Sequence, residues 1–122
     1  MSELKVVIVD DAMFMRTVLK NLLLEENIEV IGEASNGLEA IEMAMEKKPD
    51  IMTLDITMPE LDGISAIPRI LEASPNTKII MVSAMGQQGM VIDAIKKGAK
   101  DFITKPFEKS RVLQAIKKVM EL

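Results

Sequence analysis

The 122-residue sequence contains no cysteine, no histidine, no tryptophan and no tyrosine. The lack of cysteine excludes a disulfide framework and thiolate metal sites, and it fits a reducing compartment. The lack of histidine excludes imidazole acid–base chemistry, imidazole ligation of metals and any role as a phosphohistidine donor. The chemistry is left to carboxylates, hydroxyls and lysine. No apolar run approaches the ~18 residues that a membrane span requires. Met1-Ser2-Glu3-Leu4-Lys5 leads at once into a strand pattern, so no signal peptide is expected. The expectation is a cytoplasmic protein that makes no membrane contact.

With 48% hydrophobic residues, the chain can bury a substantial core. At this length roughly 68% of the unfolded surface can be buried. One domain spanning 1–122 is expected, with no room for a separate output domain. The formal net charge of −4 is unevenly spread. Residues 1–62 carry 14 acids and 5 bases, whereas residues 63–122 carry 5 acids and 10 bases. Solvated helix faces account for this skew; a basic docking face for an acidic protein segment is the sharper alternative. A sequence pI of about 4.9 argues against nucleic-acid binding by the chain itself.

Strand and helix patterns alternate five times. Strands are predicted at 5–9, about 28–34, 51–54, 78–82 and 101–104. The helix after the first strand spans 13–26 and shows a stripe of Met15, Val18, Leu19, Leu22 and Leu23 at helical spacing. Asp11 is placed to cap it. Asn36-Gly37 turns the chain into a second helix, with Leu38, Ile41, Ala44 and Met45 as its stripe and a stop before Pro49. The third helix contains Pro68, so a late start or a bend is expected there. Gly98 is expected to end the fourth helix, and a fifth runs close to the C-terminus. Met15, Met43, Met45, Met52, Met81 and Met120 read as core filler.

The strands at 5–9, 51–54 and 78–82 are near-continuous apolar runs, as expected for strands covered on both faces. Five βα units with crossover helices predict an α/β fold with a doubly wound, five-stranded parallel sheet. In such sheets ligands bind beyond the carboxyl ends of the strands. Four runs end there in reactive side chains: Asp10-Asp11, Asp55, Ser83 and Lys105. Three carboxylates suit Mg²⁺, whose preferred ligands are oxygens. Their mutual repulsion would raise their pKa values or recruit a cation. The cation leaves one carboxylate free to attack a phosphoryl group and form an acyl phosphate. Lys105 and Ser83 can then serve the remaining phosphoryl oxygens.

These residues resemble the landmarks of bacterial two-component receiver domains from end to end of the chain. They are Asp10-Asp11, Asp55 followed by Met58-Pro59 and Asp62-Gly63, Ser83-Ala84, and Lys105-Pro106-Phe107. The resemblance implies a flavodoxin-like sheet in strand order 2-1-3-4-5. It implies Asp55 as phosphoacceptor. Asp11, Asp55 and the main-chain carbonyl of Thr57 would bind Mg²⁺ directly, with Asp10 acting through water. Ser83 would swing toward the phosphoryl group, Lys105 would hold it, and Lys105-Pro106 would be cis. Phe102 matches the family's aromatic switch and lacks the hydroxyl a tyrosine would bring. Thr57 and Met85 occupy the two positions that tune dephosphorylation. Neither is an acid or an amide, so a moderately long-lived phosphoryl state is expected.

Ser83-Ala84-Met85-Gly86-Gln87-Gln88 and the end of the chain most resemble stand-alone chemotaxis regulators of the CheY type. That resemblance implies a histidine kinase as phosphodonor and a flagellar switch protein as target. Docking would use the face around Phe102, and a monomer is expected. The alternative is a receiver from a transcriptional regulator, which would dimerise through the same face. A haloacid dehalogenase-like phosphatase would require a second Asp where Thr57 stands. No glycine-rich nucleotide fingerprint follows any strand. The protein is therefore expected not to be an enzyme beyond its own phosphotransfer and slow autodephosphorylation.

Overall fold

The computed structural model describes residues 4–121. The first three residues, on which the expectation of no signal peptide partly rests, lie outside the described residues, as does Leu122. The elements are β1 (Lys5–Val9), α1 (Met13–Glu25), β2 (Glu29–Ala34), α2 (Gly37–Lys47), β3 (Ile51–Asp55), α3 (Gly63–Ala73), β4 (Lys78–Ser83), α4 (Gln88–Lys97), β5 (Asp101–Thr104) and α5 (Lys109–Met120).

The strands form one parallel sheet in the order β2-β1-β3-β4-β5, as expected. Alternate residues of each strand point to opposite faces, so one run of apolar residues feeds two cores. Val7, Val9, Met52, Leu54, Ile79 and Met81 pack with α2, α3 and α4. Val6, Ile8, Ile51, Ile80, Val82 and Ile103 pack with α1 and α5. The register aligns the strand ends: Val9 pairs with Leu54, Asp55 with Val82, and Ser83 with Thr104. Asp10, Asp55, Ser83 and Lys105 therefore emerge along the same edge.

Several local expectations are corrected. Asp11 does not cap α1. Ala12 is the cap residue, with no side-chain bond, and the Ala12 N–H donates instead to Asp10 Oδ1 at 2.9 Å. The first helical residue is Met13, so Asp11 lies one position too early, and its carboxylate joins the acidic cluster described below. Pro68 does not delay α3, which runs unbroken from Gly63 to Ala73. Proline forfeits its own donor and crowds the carbonyl four residues earlier, a cost the rest of the helix must offset. The Asp62 carboxylate capping the Ser65 N–H at 2.9 Å and the buried Ile64, Ala66, Ile67 and Ile70 hold the helix. Met45 is not core: it is 58% exposed, at the rim of a helix that buries Ala40, Ile41 and Ala44. Met52 and Met81 are fully buried. Gly98 ends α4 with a φ of 125°, a positive value that glycine adopts without strain.

Candidate functional site

β3 delivers Asp55 to the sheet edge already desolvated; the residue is 7% exposed. Its Oδ1 accepts from the Ile56 N–H at 3.0 Å, which fixes the carboxylate plane and leaves Oδ2 facing the cleft. The chain must then turn tightly, and the Gly63 N–H donates to the Ile56 carbonyl at 2.8 Å. A Cβ at Gly63 would overlap the Asp55 carbonyl oxygen, so only glycine fits this approach.

Lys105 lies between two of the acids. Its Nζ is 2.9 Å from Asp10 Oδ2 and 3.5 Å from Asp55 Oδ2. The Lys105 N–H donates to the Ser83 carbonyl at 2.9 Å, tying the ends of β4 and β5 together. The Lys105-Pro106 peptide bond is cis, as expected. Arg16, on α1, braces the other side: its Nη1 donates to the Asp10 carbonyl at 2.6 Å while its Nε pairs with Glu33 at 2.9 Å.

One carboxylate oxygen from each of Asp10, Asp11 and Asp55 lies within 4.8 Å of the other two. Burial, and then the adjacent Asp10 carboxylate, push the Asp55 carboxyl up to about 6 against the pull of Lys105, with Asp11 adding a smaller push. Burial alone would lower the Lys105 pKa. The hydrogen bonds and charges of Asp10 and Asp55 outweigh that, and the ammonium sits above the ordinary lysine value. Three acids facing one ammonium leave an excess of negative charge. An all-oxygen donor set carrying that excess fits a hard divalent cation such as Mg²⁺.

A response regulator receiver domain model matches residues 6–117. The chain belongs to the response regulator receiver domain family. Among its relatives, the chemotaxis protein CheY of Listeria monocytogenes is 63% identical over 94% of this chain and 97% of that protein. The chemotaxis protein CheY of Thermotoga maritima is 61% identical over 94% and 96%, respectively. A crystal structure of the CheX–CheY–BeF3–Mg complex from Borrelia burgdorferi aligns with a TM-score of 0.87 and 39% identity, over 96% of this chain and 89% of that one.

In this receiver, Ser83 is buried at the end of β4, and a cavity of about 450 Å³ runs from Ser83 and Lys105 to Phe102 on β5. Phe102 points outward and is 37% exposed. Arg111, on α5, holds it there. The guanidinium carbon lies 5.4 Å from the ring centroid, Nη2 donates to the Phe102 carbonyl at 2.6 Å, and the same group pairs with Asp101 at 2.9 Å. Thr57 and Met85 are both exposed, Met85 almost completely, at 95%. The structure thus brings Asp10, Asp11, Asp55 and Lys105 together directly. Ser83 borders the same cleft, and Phe102 lines the cavity that opens from it. Sequence reasoning missed Gln87. Its side-chain amide reaches both Ala84 and Thr57, and a glutamine in a loop carries no pattern that would reveal this.

Proposed function

We propose that this receiver is a phosphorylation-activated chemotaxis regulator, acting as one domain over 1–122, with Asp55 as the phosphoacceptor. The observation that carries the reading is the Asp55 carboxylate, buried at the end of β3 within 3.5 Å of Lys105 and clustered with Asp10 and Asp11. An Asp55 oxygen attacks the phosphorus of a kinase phosphohistidine. The O–P bond forms, the P–N bond breaks, and its electron pair returns to the imidazole. Lys105 holds an oxygen of the transferred group, and Ser83 donates to another.

Asp11, Asp55 and the Thr57 carbonyl would hold Mg²⁺, with Asp10 acting through water. Bound there, the ion would supply positive charge to offset the negative charge developing on the phosphoryl oxygens. Asp55 must be ionised to attack, and a cation bound beside it would relieve the repulsion that helps raise its pKa to about 6, keeping the carboxylate ionised at neutral pH.

The output is a population shift. Contacts from Ser83 and Lys105 to the phosphoryl group exist only in the switched conformer, so they stabilise it. Phe102 then leaves Arg111 and turns into the cavity, reshaping the face of α4, β5 and α5. A flagellar switch protein is the proposed target of that face, by similarity to the CheY relatives. The protein acts as a monomer in the cytoplasm and catalyses only its own phosphotransfer and slow autodephosphorylation. Among the described residues, no helix is long and apolar enough to cross a membrane.

The test is incubation with acetyl phosphate and Mg²⁺, followed by intact-mass measurement. One phosphoryl adduct is expected, abolished by a chelator and by Asp55→Asn. An adduct of equal yield in the variant would refute the assigned acceptor. Mass in solution with a beryllofluoride mimic should remain that of a monomer; a dimer would favour the transcriptional type.

A further inference from the structure

Gln87 is the cap residue of α4, yet its side chain makes no capping bond to that helix. Its carboxamide is used elsewhere. Oε1 accepts from the Ala84 N–H at 2.6 Å, and Nε2 donates to Thr57 Oγ1 at 3.2 Å. Ala84 directly follows Ser83, and Thr57 stands two residues after Asp55. A single amide therefore ties the loop after β4 to the loop after β3. A main-chain bond from the Gln87 N–H to the Ala84 carbonyl at 3.3 Å closes the same turn.

We propose that Gln87 is a positioning residue that latches these two loops in the unphosphorylated receiver. It occupies the Ala84 N–H and holds Ser83 at its resting place on β4. The inference rests on the assignment of Asp55 as acceptor and Ser83 as its responding hydroxyl. Movement of Ser83 toward the phosphoryl group carries Ala84 with it, and that breaks both side-chain bonds of Gln87. A phosphoryl oxygen is charged and accepts a hydrogen bond more strongly than a neutral amide carbonyl. The Ala84 N–H can therefore exchange one acceptor for the other. The latch sets a threshold: it biases the resting equilibrium without touching the reacting atoms.

Two neutral hydrogen bonds, partly replaced by water once broken, shift such an equilibrium by about fivefold to tenfold. Gln87→Met keeps the length and removes both polar atoms. Gln87→Ala serves as a second variant, and circular dichroism checks that each remains folded. Two readouts are needed.

In metal-free protein, exchange of the Ala84 amide hydrogen should be several-fold faster in both variants than in the wild type. In Mg²⁺, beryllofluoride should bind the variants about fivefold tighter, as measured by titration calorimetry. Thr57→Val breaks only the second bond and should give a smaller gain, non-additive with Gln87→Met. A merely structural cap would lower the melting temperature and leave beryllofluoride affinity unchanged. Unchanged or weaker affinity, or unchanged Ala84 exchange, would overturn the latch. Wild-type protein that fails to bind beryllofluoride in Mg²⁺ would instead overturn the site assignment beneath it.

Discussion

Replacing the central carboxylate should make the metal-free protein more stable. An acid whose folded-state pKa lies above its unfolded value holds its proton more tightly when folded. The stability it contributes is present below the unfolded value and is lost as pH rises through the folded value. For Asp55 that loss runs from near 3.8 to about 6 and is constant above. At ~1.36 kcal/mol per unit, the shift sets a ceiling of about 3 kcal/mol. Solvent screening at the open cleft brings the expected penalty to about 1–2 kcal/mol.

Asp55→Asn removes this penalty with few new losses. The asparagine Oδ1 can still accept from the Ile56 N–H. Lys105 retains its closer partner, Asp10, at 2.9 Å. At pH 7.5 in a chelator, the variant should melt about 4–8 °C higher, at about 4 °C per kcal/mol for a chain of this size. At pH 4.5 the gain should shrink to about a third, because the unfolded wild type has by then begun to lose its own advantage in ionising. Urea unfolding followed by circular dichroism suits a chain without tryptophan or tyrosine. A variant no more stable than wild type at pH 7.5, or a gain that does not shrink on acidification, would refute the electrostatic reasoning.

Mg²⁺ at about 100 times its Kd should stabilise the wild type by about 2.7 kcal/mol, or roughly 10 °C, and Asp11→Asn should lose most of that increment. Thr53 Oγ1 is buried on β3 without a hydrogen-bond partner among the described residues. The nearly isosteric Thr53→Val should therefore stabilise by about 1 kcal/mol in chemical denaturation. Gly63→Ala forces a methyl onto the Asp55 carbonyl oxygen and should cost about 2–3 kcal/mol, with acetyl phosphate labelling impaired in parallel. Neither Thr57 nor Met85, the two residues proposed to tune dephosphorylation, is an acid or an amide, so the phosphoryl group should persist beyond a few seconds without a phosphatase; a shorter half-life measured by quenched-flow labelling would contradict that expectation.

The sheet was legible because strands buried on both faces read as near-continuous apolar runs; Val6–Val9 and Ile79–Val82 are such runs, and Ile51–Leu54 is broken only by Thr53. The acidic cleft was legible for a related reason. In a parallel sheet every strand ends on the same edge, so residues that directly follow a run are brought together whatever their distance in sequence. Asp10, Asp55 and Lys105 obey this rule, and their contacts at 2.9 and 3.5 Å confirm the placement.

Features fixed by three-dimensional competition were not legible. Asp11 looked like a cap for α1, but the helix begins one residue later than that role requires. Pro68 looked disruptive, yet a capped helix with a deeply buried face runs through it. Met45 fits an apolar stripe and still lies at the exposed rim of α2. The hold of Arg111 on Phe102 and the reach of Gln87 from Ala84 to Thr57 depend on side-chain directions that periodicity does not encode.

The Asp55 carboxylate is the proposed receiver of the phosphoryl group. Borohydride reduction of the acetyl phosphate-treated protein, followed by peptide sequencing, tests that assignment most directly, because an acyl phosphate is reduced to an alcohol where a free carboxylate is not. The prediction is a reduced side chain at position 55 alone, formed only in the presence of Mg²⁺. Reduction at Asp10 or Asp11, or a phosphoryl adduct that survives borohydride unchanged, would contradict it.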